Sequence, residues 1–215
     1  MPALNSNRPA NIGGRYKSIF RFSAVVVLTS FIAHFPSAQV AVAQPSEASE
    51  TVKSTVEKVR ATVTEEQGKT SPEALDGKLR EIIAPVFDFE EMARRSLGAN
   101  WRKASADEQE QFVDLFSDLL ARNYLKKIRE NVAESDFRLD GETSKGEKSL
   151  VKTIVQFEGE PASIDYRMMK KQGRWKVYDV VIENIGLVSN YRSEFAGIVS
   201  KEGISGLLQR LREKQ

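Results

Sequence analysis

Several carboxylates occur in patterns that could support acid–base chemistry. Asp88, Glu90 and Glu91 lie within four residues of one another, and two carboxylates held together can act as a general acid and a general base. The same residues also match the start of a helix, because aspartate caps exposed N–H groups and the helix dipole favours glutamates in the first turn. Since a cap accounts for all three residues without a substrate, we interpret this cluster as a helix start.

Two further carboxylates, Asp165 and Asp179, lie in segments where apolar and polar residues alternate. Such alternation predicts β-strands. A carboxylate buried in a sheet could act as a general base in a pocket of an α+β fold. More commonly, a carboxylate in a strand lies on the solvated face and pairs with a lysine or an arginine. The catalytic and the structural interpretation of these two residues both stay open at this point.

Histidine and cysteine offer almost no catalytic or metal-binding groups in this sequence. The sequence has no cysteine, and its one histidine, His34, lies within the first 43 residues, which we interpret below as a removed segment. The remainder therefore has no Ser-His-Asp or Cys-His nucleophile system, no zinc site built on these residues and no disulfide. No segment places several carboxylates at the short loop spacing of calcium or magnesium sites.

The first 43 residues have the pattern of a secretory signal peptide. Their four charges are all positive, and an uncharged stretch, SAVVVLTSFIAHF, follows those charges. Ala41 and Ala43 then match the A-x-A sequence of a cleavage site. A membrane anchor is the alternative, but the apolar stretch is shorter than the about 20 residues that cross a bilayer. We expect cleavage after Ala43 and a periplasmic protein, in which a flexible lead-in at 44–50 precedes one domain at 51–215.

Removal of that segment would change the charge balance of the chain. It takes away four of the 32 basic residues and none of the 30 acidic ones, so the remainder is slightly acidic. No basic stripe is then left to bind phosphates along a nucleic acid, and we expect no nucleic-acid partner.

The remainder of the chain has helical patterns first and strand patterns afterwards. Helices are predicted at 51–66, 71–85, 88–98 and 105–130, strands at 137–139, 150–157, 164–169 and 175–183, and closing helices at 187–199 and 204–212. The residues between the first two strands, 140–149, predict a polar hairpin region. Helices followed by strands in adjacent antiparallel order predict an α+β fold, in which a twisted antiparallel sheet of about four strands is wrapped by several helices.

Bulky apolar residues exceed what a thin sheet-on-helix core requires. They recur on the long predicted helix, on one face of the strands and around Tyr191 and Phe195. A wide apolar helix face is usually part of a core, whereas a dry cavity inside such a core would suit an apolar ligand. The residues alone leave both interpretations open.

Two long segments, in order along the chain, carry a family pattern. The first, FDFEEMARRSLGANWRKASADEQEQFVDLFSDLLARNY at 87–124, contains FD, M-A, LG-x-x-W and F-x-x-x-F-x-x-L-L-x-x-x-Y. The second, RWKVYDVVIENIGLVSNYRSEF at 174–195, contains W-K-V-Y-D-V-x-x-E and L-V-x-N-Y-R-x-x-F. Both resemble the MlaC family of periplasmic phospholipid-binding proteins, also described as toluene-tolerance auxiliary proteins of ABC transporters. The resemblance extends from about residue 50 to residue 213, and departs from the family's G-V/I-S at Asn184-Ile185-Gly186.

The resemblance implies a soluble α+β carrier that holds the acyl chains of a phospholipid in an internal apolar cavity, with the head group at the surface. It implies lipid exchange with an inner-membrane MCE-domain ABC transporter and with an outer-membrane lipoprotein–porin complex, which together maintain outer-membrane lipid asymmetry. A related branch of the family is associated with hopanoid genes, so a polycyclic lipid is an alternative cargo. Such a carrier is not an enzyme, and the phospholipid is its cargo rather than a cofactor.

We expect the wall of this cavity to come from the long helix, the strands and the first closing helix. The expected lipid contacts are Phe112, Phe116, Leu119, Leu120, Val155, Phe157, Tyr166, Met168, Trp175, Val177, Ile185, Val188, Tyr191 and Phe195. Phe116 and Tyr166 are the central pair, on elements that we expect to face each other. Arg192 and Lys126 are candidate contacts for the lipid phosphate.

Two other classes of function stay open beside the carrier. An enzyme on the same kind of fold would use Asp165 or Asp179 as a base in a small polar pocket. A binding module that only bridges membrane complexes would have a solid core and no ligand. A long apolar cavity is therefore the feature that separates the carrier from both alternatives.

Overall fold

The computed structural model of the chain describes residues 46–157 and 160–214. The predicted signal peptide lies outside these residues. Within the described part, four helices come first, then a sheet, then a bent helix. The helices are α1 (Glu47–Glu66), α2 (Pro72–Ile83), α3 (Phe89–Leu97), α4 (Ala106–Asn131) and, after the sheet, α5 (Leu187–Glu213), with 3₁₀ segments at Ala84–Val86 and Gly98–Lys103.

The sheet is an antiparallel meander in which each strand lies beside its neighbours in sequence. Its strands are β1 (Phe137–Lys145), β2 (Lys148–Phe157), β3 (Glu160–Lys171), β4 (Arg174–Ile182) and β5 (Ile185–Gly186). Gln172 and Gly173, with φ of 52° and 76°, form the tight turn between β3 and β4. The arrangement confirms the α+β class and adds one very short strand to the four that the sequence predicts.

The first strand is longer than the sequence pattern indicates. The pattern predicts a strand that ends at Leu139 and a polar hairpin after it, but β1 continues to Lys145 in register with β2. A register shift between Leu139 and Gly141 explains the difference. A bulge at this point breaks the apolar–polar alternation, so the pattern of the polar residues beyond it does not predict a strand.

Most helix ends follow the local signals in the sequence. Ser71 and Ser105, where two of the predicted helices begin, cap α2 and α4, and Glu108 completes a capping box with Ser105. The two predicted closing helices form one bent helix, α5, whose helical geometry is interrupted at Gly203 with φ of 71°. No helix in the described ranges is both long and apolar enough to cross a membrane.

Helix α1 begins earlier than predicted. Its first residue is Glu47, and the Ser46 side chain caps it by accepting a hydrogen bond from Ser49 N at 3.2 Å. The prediction of a flexible lead-in at 44–50 is therefore wrong from Glu47 onwards. The serine cap is the signal that would have placed the start correctly.

The same end of α1 is tied to the β1–β2 hairpin through Glu142. Its carboxylate accepts hydrogen bonds from four hydroxyls: those of Ser46 and Ser49 on α1, Ser144 on β1 and Ser149 on β2. Burial raises the pKa of Glu142, but the four serine bonds together outweigh it and lower the pKa from 4.5 to about 2. This serine cage fixes the start of α1 over one end of the sheet.

Asp88 begins α3 and joins that helix to the sheet. Its side chain accepts a hydrogen bond from Glu91 N at 3.1 Å and pairs with Lys171 Nζ at 3.0 Å. Its backbone N–H donates to the carbonyl of Val177 on β4 at 2.8 Å. In a complete capping box the Glu91 side chain would bind this N–H, but the strand occupies it, so only the Asp88 half of the box is formed.

Asp179 on β4 joins α5 to the sheet in a similar way. The residue is 3% exposed, and its two carboxylate oxygens accept from Val188 N at 3.0 Å and from Arg167 Nη1 at 2.9 Å. Gly186, the residue before α5, has no side chain with which to cap the helix. The neighbouring strand therefore supplies the cap through Asp179.

The buried apolar residues form three clusters. The helix cluster joins α3, α4 and both arms of α5; its members are Met92, Ala93, Leu97, Phe112, Leu115, Phe116, Leu119, Leu120, Val188, Tyr191, Phe195, Leu207, Leu208 and Leu211. The sheet cluster lies between α1 and the sheet; its buried members are Ala48, Val52, Val151, Met168, Val177 and Val180. A third cluster joins α1, α2 and α4 through Val59, Val63, Leu75, Leu79 and Leu125.

Replacement of Glu142 by glutamine tests the serine cage. A carboxyl group whose folded-state pKa lies below its ordinary value adds stability above that ordinary value and loses it as the pH falls towards the folded-state pKa. We expect Glu142→Gln to lower the free energy of unfolding at pH 7, and the difference from the wild type to shrink from about pH 4.5 downwards. Urea unfolding between pH 7 and pH 3 measures it, with the exposed Asp140→Asn as control. A difference that does not depend on pH would contradict the account.

Replacement of Asp179 by asparagine tests its role as a cap. The variant loses a charge-assisted bond to a helix N-terminus and one to Arg167, so we expect it to lower the free energy of unfolding by about 2 kcal/mol. Asp165→Asn is the matched control on the adjacent strand, where the carboxylate is half-buried and accepts from Ser163 Oγ at 3.3 Å; we expect a change within about 0.5 kcal/mol. Equal effects in urea unfolding would remove the special role of Asp179.

Candidate functional site

The candidate acid–base residues all have structural partners, and the structure does not bring them together as a catalytic group. Asp88 and Asp179 each hold the start of a helix, as described above. Glu90 is exposed and lies 3.5 Å from Lys171, while Glu91 pairs with arginines of its own helix. Within residues 46–157 and 160–214, no group of three or more histidine, cysteine or acidic residues could hold a metal ion.

The residues that the sequence predicts as a cavity wall divide between two clusters. Those on α4 and α5 belong to the helix cluster: Phe112, Phe116, Leu119, Leu120, Val188, Tyr191 and Phe195. Those on the strands belong to the sheet cluster or pack against it: Tyr166, Met168, Trp175 and Val177. Phe116 and Tyr166, expected to face each other, therefore lie in different clusters. Helix α4 packs against other helices rather than on the sheet, which the spacing of its apolar residues could not distinguish.

Three of the predicted wall residues stand apart from both sets. Val155 is half-buried and shares the Val151 side of β2 by strand alternation. Phe157 is the last residue of β2, and its side chain lies outside the described part of the chain. Ile185 is 62% exposed at the β4–β5 turn, so the structure does not place it in a buried wall.

The aromatic rings of the helix cluster pack tightly. Phe116 is fully buried and contacts Phe112, Tyr191 and Phe195 with ring centroids 5.2–5.6 Å apart, in stacked and edge-to-face geometries. The Tyr191 hydroxyl accepts a hydrogen bond from Asn123 Nδ2 at 2.9 Å. Edge-to-face packing at these distances is typical of a solid core. The centre of the helix cluster is therefore core, and Phe116 lies in it.

The sheet cluster is less completely covered. Tyr166 is half-buried, yet burial raises the pKa of its hydroxyl to about 12. Its hydroxyl makes no hydrogen bond to any residue that the structure describes. Other half-buried apolar side chains pack against the same cluster, namely Phe137, Leu139, Ile164 and Ile182. A half-buried tyrosine among half-buried apolar side chains forms an apolar face that the described chain covers only in part, as is expected beside a site for an apolar ligand.

The two clusters meet along a seam. Phe87, between the 3₁₀ segment Ala84–Val86 and α3, packs against both clusters, and so does Leu187 at the start of α5. Both residues are half-buried. Apolar surface is thus continuous from the face of the sheet around Tyr166 to the helices.

A small polar pocket of about 270 Å³ lies next to this seam. It is lined by Arg95, Arg167, Tyr178, Asp179, Val188, Ser189 and Arg192. The sequence analysis singled out Arg192 but missed Arg95 and Arg167. Nothing in their spacing links these three arginines, because they come from α3, β3 and α5 and meet only through the fold. Lys126, the other predicted phosphate contact, lies elsewhere on α4 with its side chain 69% exposed and pairs with Glu130 at 3.8 Å.

A larger open groove of about 550 Å³ lies between the two arms of α5. Phe195, Ile198, Leu207 and Leu211 contribute apolar surface to it, and charged residues such as Glu194 and Arg210 line the remainder. The interruption at Gly203 produces this groove, because it folds the second arm of α5 back towards the first.

Comparison with known proteins gives matches along most of the chain. The protein named intermembrane phospholipid transport system binding protein MlaC, from Haemophilus influenzae, is 24% identical over 151 residues, which are 67% of this chain and 70% of that protein. The toluene tolerance protein ttg2D of Pseudomonas putida is 24% identical over 140 residues, 64% of this chain and 65% of that protein. The match to ttg2D thus covers slightly less than two thirds of that protein.

A solved structure and a family model extend this match to the fold. The phospholipid-binding protein from Ralstonia solanacearum, solved in complex with a phospholipid, is similar with a TM-score of 0.71 and 30% sequence identity over 78% of this chain and 96% of that protein. The family model described as MlaC protein matches residues 53–213. These residues include all five helices and the whole sheet that the structure describes, apart from the first turns of α1. This protein therefore belongs to the MlaC family.

Proposed function

We propose that this protein is a lipid carrier that binds the acyl chains of a phospholipid between its sheet and its helices. The observation that carries the proposal is the loosely covered apolar face around Tyr166, in a chain whose candidate catalytic residues all hold structural contacts. The similar protein from Ralstonia solanacearum was solved with a phospholipid bound, and this supports the same class of cargo here. A polycyclic lipid is the alternative cargo, through the hopanoid-associated branch.

The physical need for a carrier follows from the chemistry of the cargo. Two acyl chains contain about 30 methylenes, and their exposure to water would cost about 20–25 kcal/mol at roughly 0.8 kcal/mol each. A phospholipid therefore cannot cross an aqueous compartment freely. A protein that buries these chains offsets the cost and requires no catalytic step, so we infer that this protein is not an enzyme.

The acyl chains would enter along the seam between the two clusters. Phe87 and Leu187 are half-buried and touch both clusters, so their movement would join the space beside Tyr166 to the helices. The expected wall is then the sheet side of the predicted set, with Met168 and Val155 beside Tyr166. The tightly packed rings around Phe116 would form the rigid back of the site rather than its lining.

The proposed route follows from the family and from the start of the sequence. One relative is named as the binding protein of an intermembrane phospholipid transport system. We propose that this protein works in the periplasm after cleavage of residues 1–43. There it would receive and deliver lipid at an inner-membrane MCE-domain ABC transporter and at an outer-membrane lipoprotein–porin complex, and so maintain the asymmetry of the outer membrane.

A charge on the proposed wall tests the site. Val177→Glu is a poor probe, because Val177 is 1% exposed and a glutamate there would unfold the sheet whether or not lipid binds. Tyr166 is half-buried, so Tyr166→Glu can fold while it places a carboxylate beside the acyl chains. Because an unpaired charge in apolar surroundings is costly, we expect at least about a tenfold loss of bound phospholipid.

The measurement is the phosphorus content of lipid extracted from protein purified without detergent. Ile154→Glu is the matched control, since Ile154 is also half-buried but lies on the opposite side of β2 from Val151. We expect this control to keep its lipid. Full occupancy in Tyr166→Glu, or equal losses in the two variants, would place the acyl chains elsewhere.

A further inference from the structure

A row of lysines crosses the outer face of the sheet, the side away from α1. The strand register places Lys145 opposite Lys148, Lys148 opposite Met169 and Met169 opposite Lys176, so these residues form one line from β1 to β4. Ser149, the next residue along β2, belongs to the serine cage on the α1 side. Strand alternation therefore puts Lys148 and its partners on the outer face. We call Lys145, Lys148 and Lys176 the lysine row.

The positive charges of the lysine row are not balanced. Lys145 and Lys148 are exposed, and Lys176 Nζ donates to a backbone carbonyl, which leaves its charge in place. Arg174, exposed at the start of β4, adds a fourth positive charge at the same end of the sheet. In the part of the chain that the structure describes, none of these four residues forms an ion pair with a carboxylate. Glu147, in the turn between β1 and β2, offsets only one of them.

Other basic residues of the sheet are paired, which distinguishes the lysine row from its surroundings. Lys171 pairs with Asp88 at 3.0 Å, and Arg167, further along the outer face, pairs with Asp179 at 2.9 Å. Like charges directly opposite each other on adjacent strands destabilise a sheet. The pairing of Lys145 with Lys148 therefore has an electrostatic cost, which a negatively charged surface against this face would relieve.

Apolar side chains lie among these charges. Met169 in the row and Leu150 on β2 are half-buried, and neither is a member of the three buried clusters or packs against them. At about 4.8 Å between strands, the row extends over roughly 15 Å, and its residues line neither of the two cavities described above. An open face with spread positive charge and shallow apolar contacts suits the diffuse negative charge of a bilayer better than one small anion.

We propose that the lysine row is a docking surface for an anionic membrane, such as a bilayer that contains phosphatidylglycerol. Each lysine close to an anionic bilayer contributes roughly a fivefold gain in binding. The acyl-chain wall around Tyr166 is on the inner face of the sheet, so docking leaves that wall free. This inference goes beyond the carrier function and does not depend on it. The sequence pattern shows no basic stripe because the three lysines come from three different strands.

Sedimentation with vesicles tests the docking surface. The protein without residues 1–43 is mixed at low salt with sucrose-filled vesicles of phosphatidylcholine alone, or of equal parts phosphatidylcholine and phosphatidylglycerol. We expect the wild type to bind the second kind in preference to the first, and added salt to release it. Lys148→Gln weakens this binding by about fivefold, and Lys145→Gln combined with Lys148→Gln by about 25-fold. Lys201→Gln, at an exposed lysine of α5, is the matched control and changes it by less than about twofold.

Urea unfolding checks that the variants are folded. Because Lys148→Gln removes one partner of a like-charge pair, we expect it to keep at least the wild-type free energy of unfolding. Equal binding to the two kinds of vesicle, binding to neither, or equal losses in Lys148→Gln and Lys201→Gln would overturn the membrane-docking surface. An acidic protein surface would then be the remaining occupant for the lysine row.

The lipid content of the same samples separates this inference from the carrier function. Since the docking surface and the acyl-chain wall are on opposite faces of the sheet, we expect Lys148→Gln to keep its bound phospholipid. A lipid-free wild type that still binds anionic vesicles through Lys148 would contradict the carrier function and support the docking surface. A lipid-bound wild type that binds neither kind of vesicle would contradict the docking surface alone.

Discussion

Strand β4 holds the helices in place through two buried aspartates. Asp88 caps α3, and its N–H bonds to the Val177 carbonyl; Asp179 caps α5 from within the strand. A buried carboxylate is tolerated only when its charge is matched by donors, and here helix N-termini, Lys171 and Arg167 provide them. The relative position of the sheet and the α3–α5 layer depends on these contacts. The residues that most resembled catalytic acids in the sequence thus serve the architecture.

The two apolar clusters beside this anchored strand differ in how completely they are buried. The helix cluster is closed, with Phe116 at the centre of tightly packed rings. The sheet cluster keeps half-buried side chains around Tyr166 and meets the helices along a seam at Phe87 and Leu187. A closed helix core beside a partly covered apolar face is a suitable arrangement for a carrier. Such a carrier must open for its cargo without unfolding, and methylene chains require no fixed pattern of hydrogen bonds.

The sequence predicted the features that depend on local chemistry. The predicted helix starts at 71 and 105 agree with the serine caps of α2 and α4. The Gln172-Gly173 turn falls between two predicted strands, and the bend at Gly203 falls between the two predicted closing helices. Asn184 has φ of 65° at the position where the family pattern has glycine. Asparagine accepts this left-handed conformation more readily than most residues, so that departure from the family pattern leaves the turn intact.

Features that depend on contacts distant in sequence were not predictable in the same way. The apolar spacing of α4 gave its buried face but not its partner, so Phe116 was paired with the sheet instead of with other helices. The three arginines of the polar pocket come from α3, β3 and α5, and no spacing along the chain predicts that they meet. The sequence identified the predicted wall residues by their apolar character. Their division between a closed core and a looser face depends on the packing.

Native mass spectrometry of the protein without residues 1–43, purified without detergent, tests the carrier account most directly. The account predicts a complex of one chain with one lipid of phospholipid mass, and extraction with organic solvent would release that lipid and identify it. A protein that is lipid-free when purified and does not bind added phospholipid would contradict the account. The half-buried face around Tyr166 would then be part of an ordinary core, and a bridging role between membrane complexes would explain the protein better.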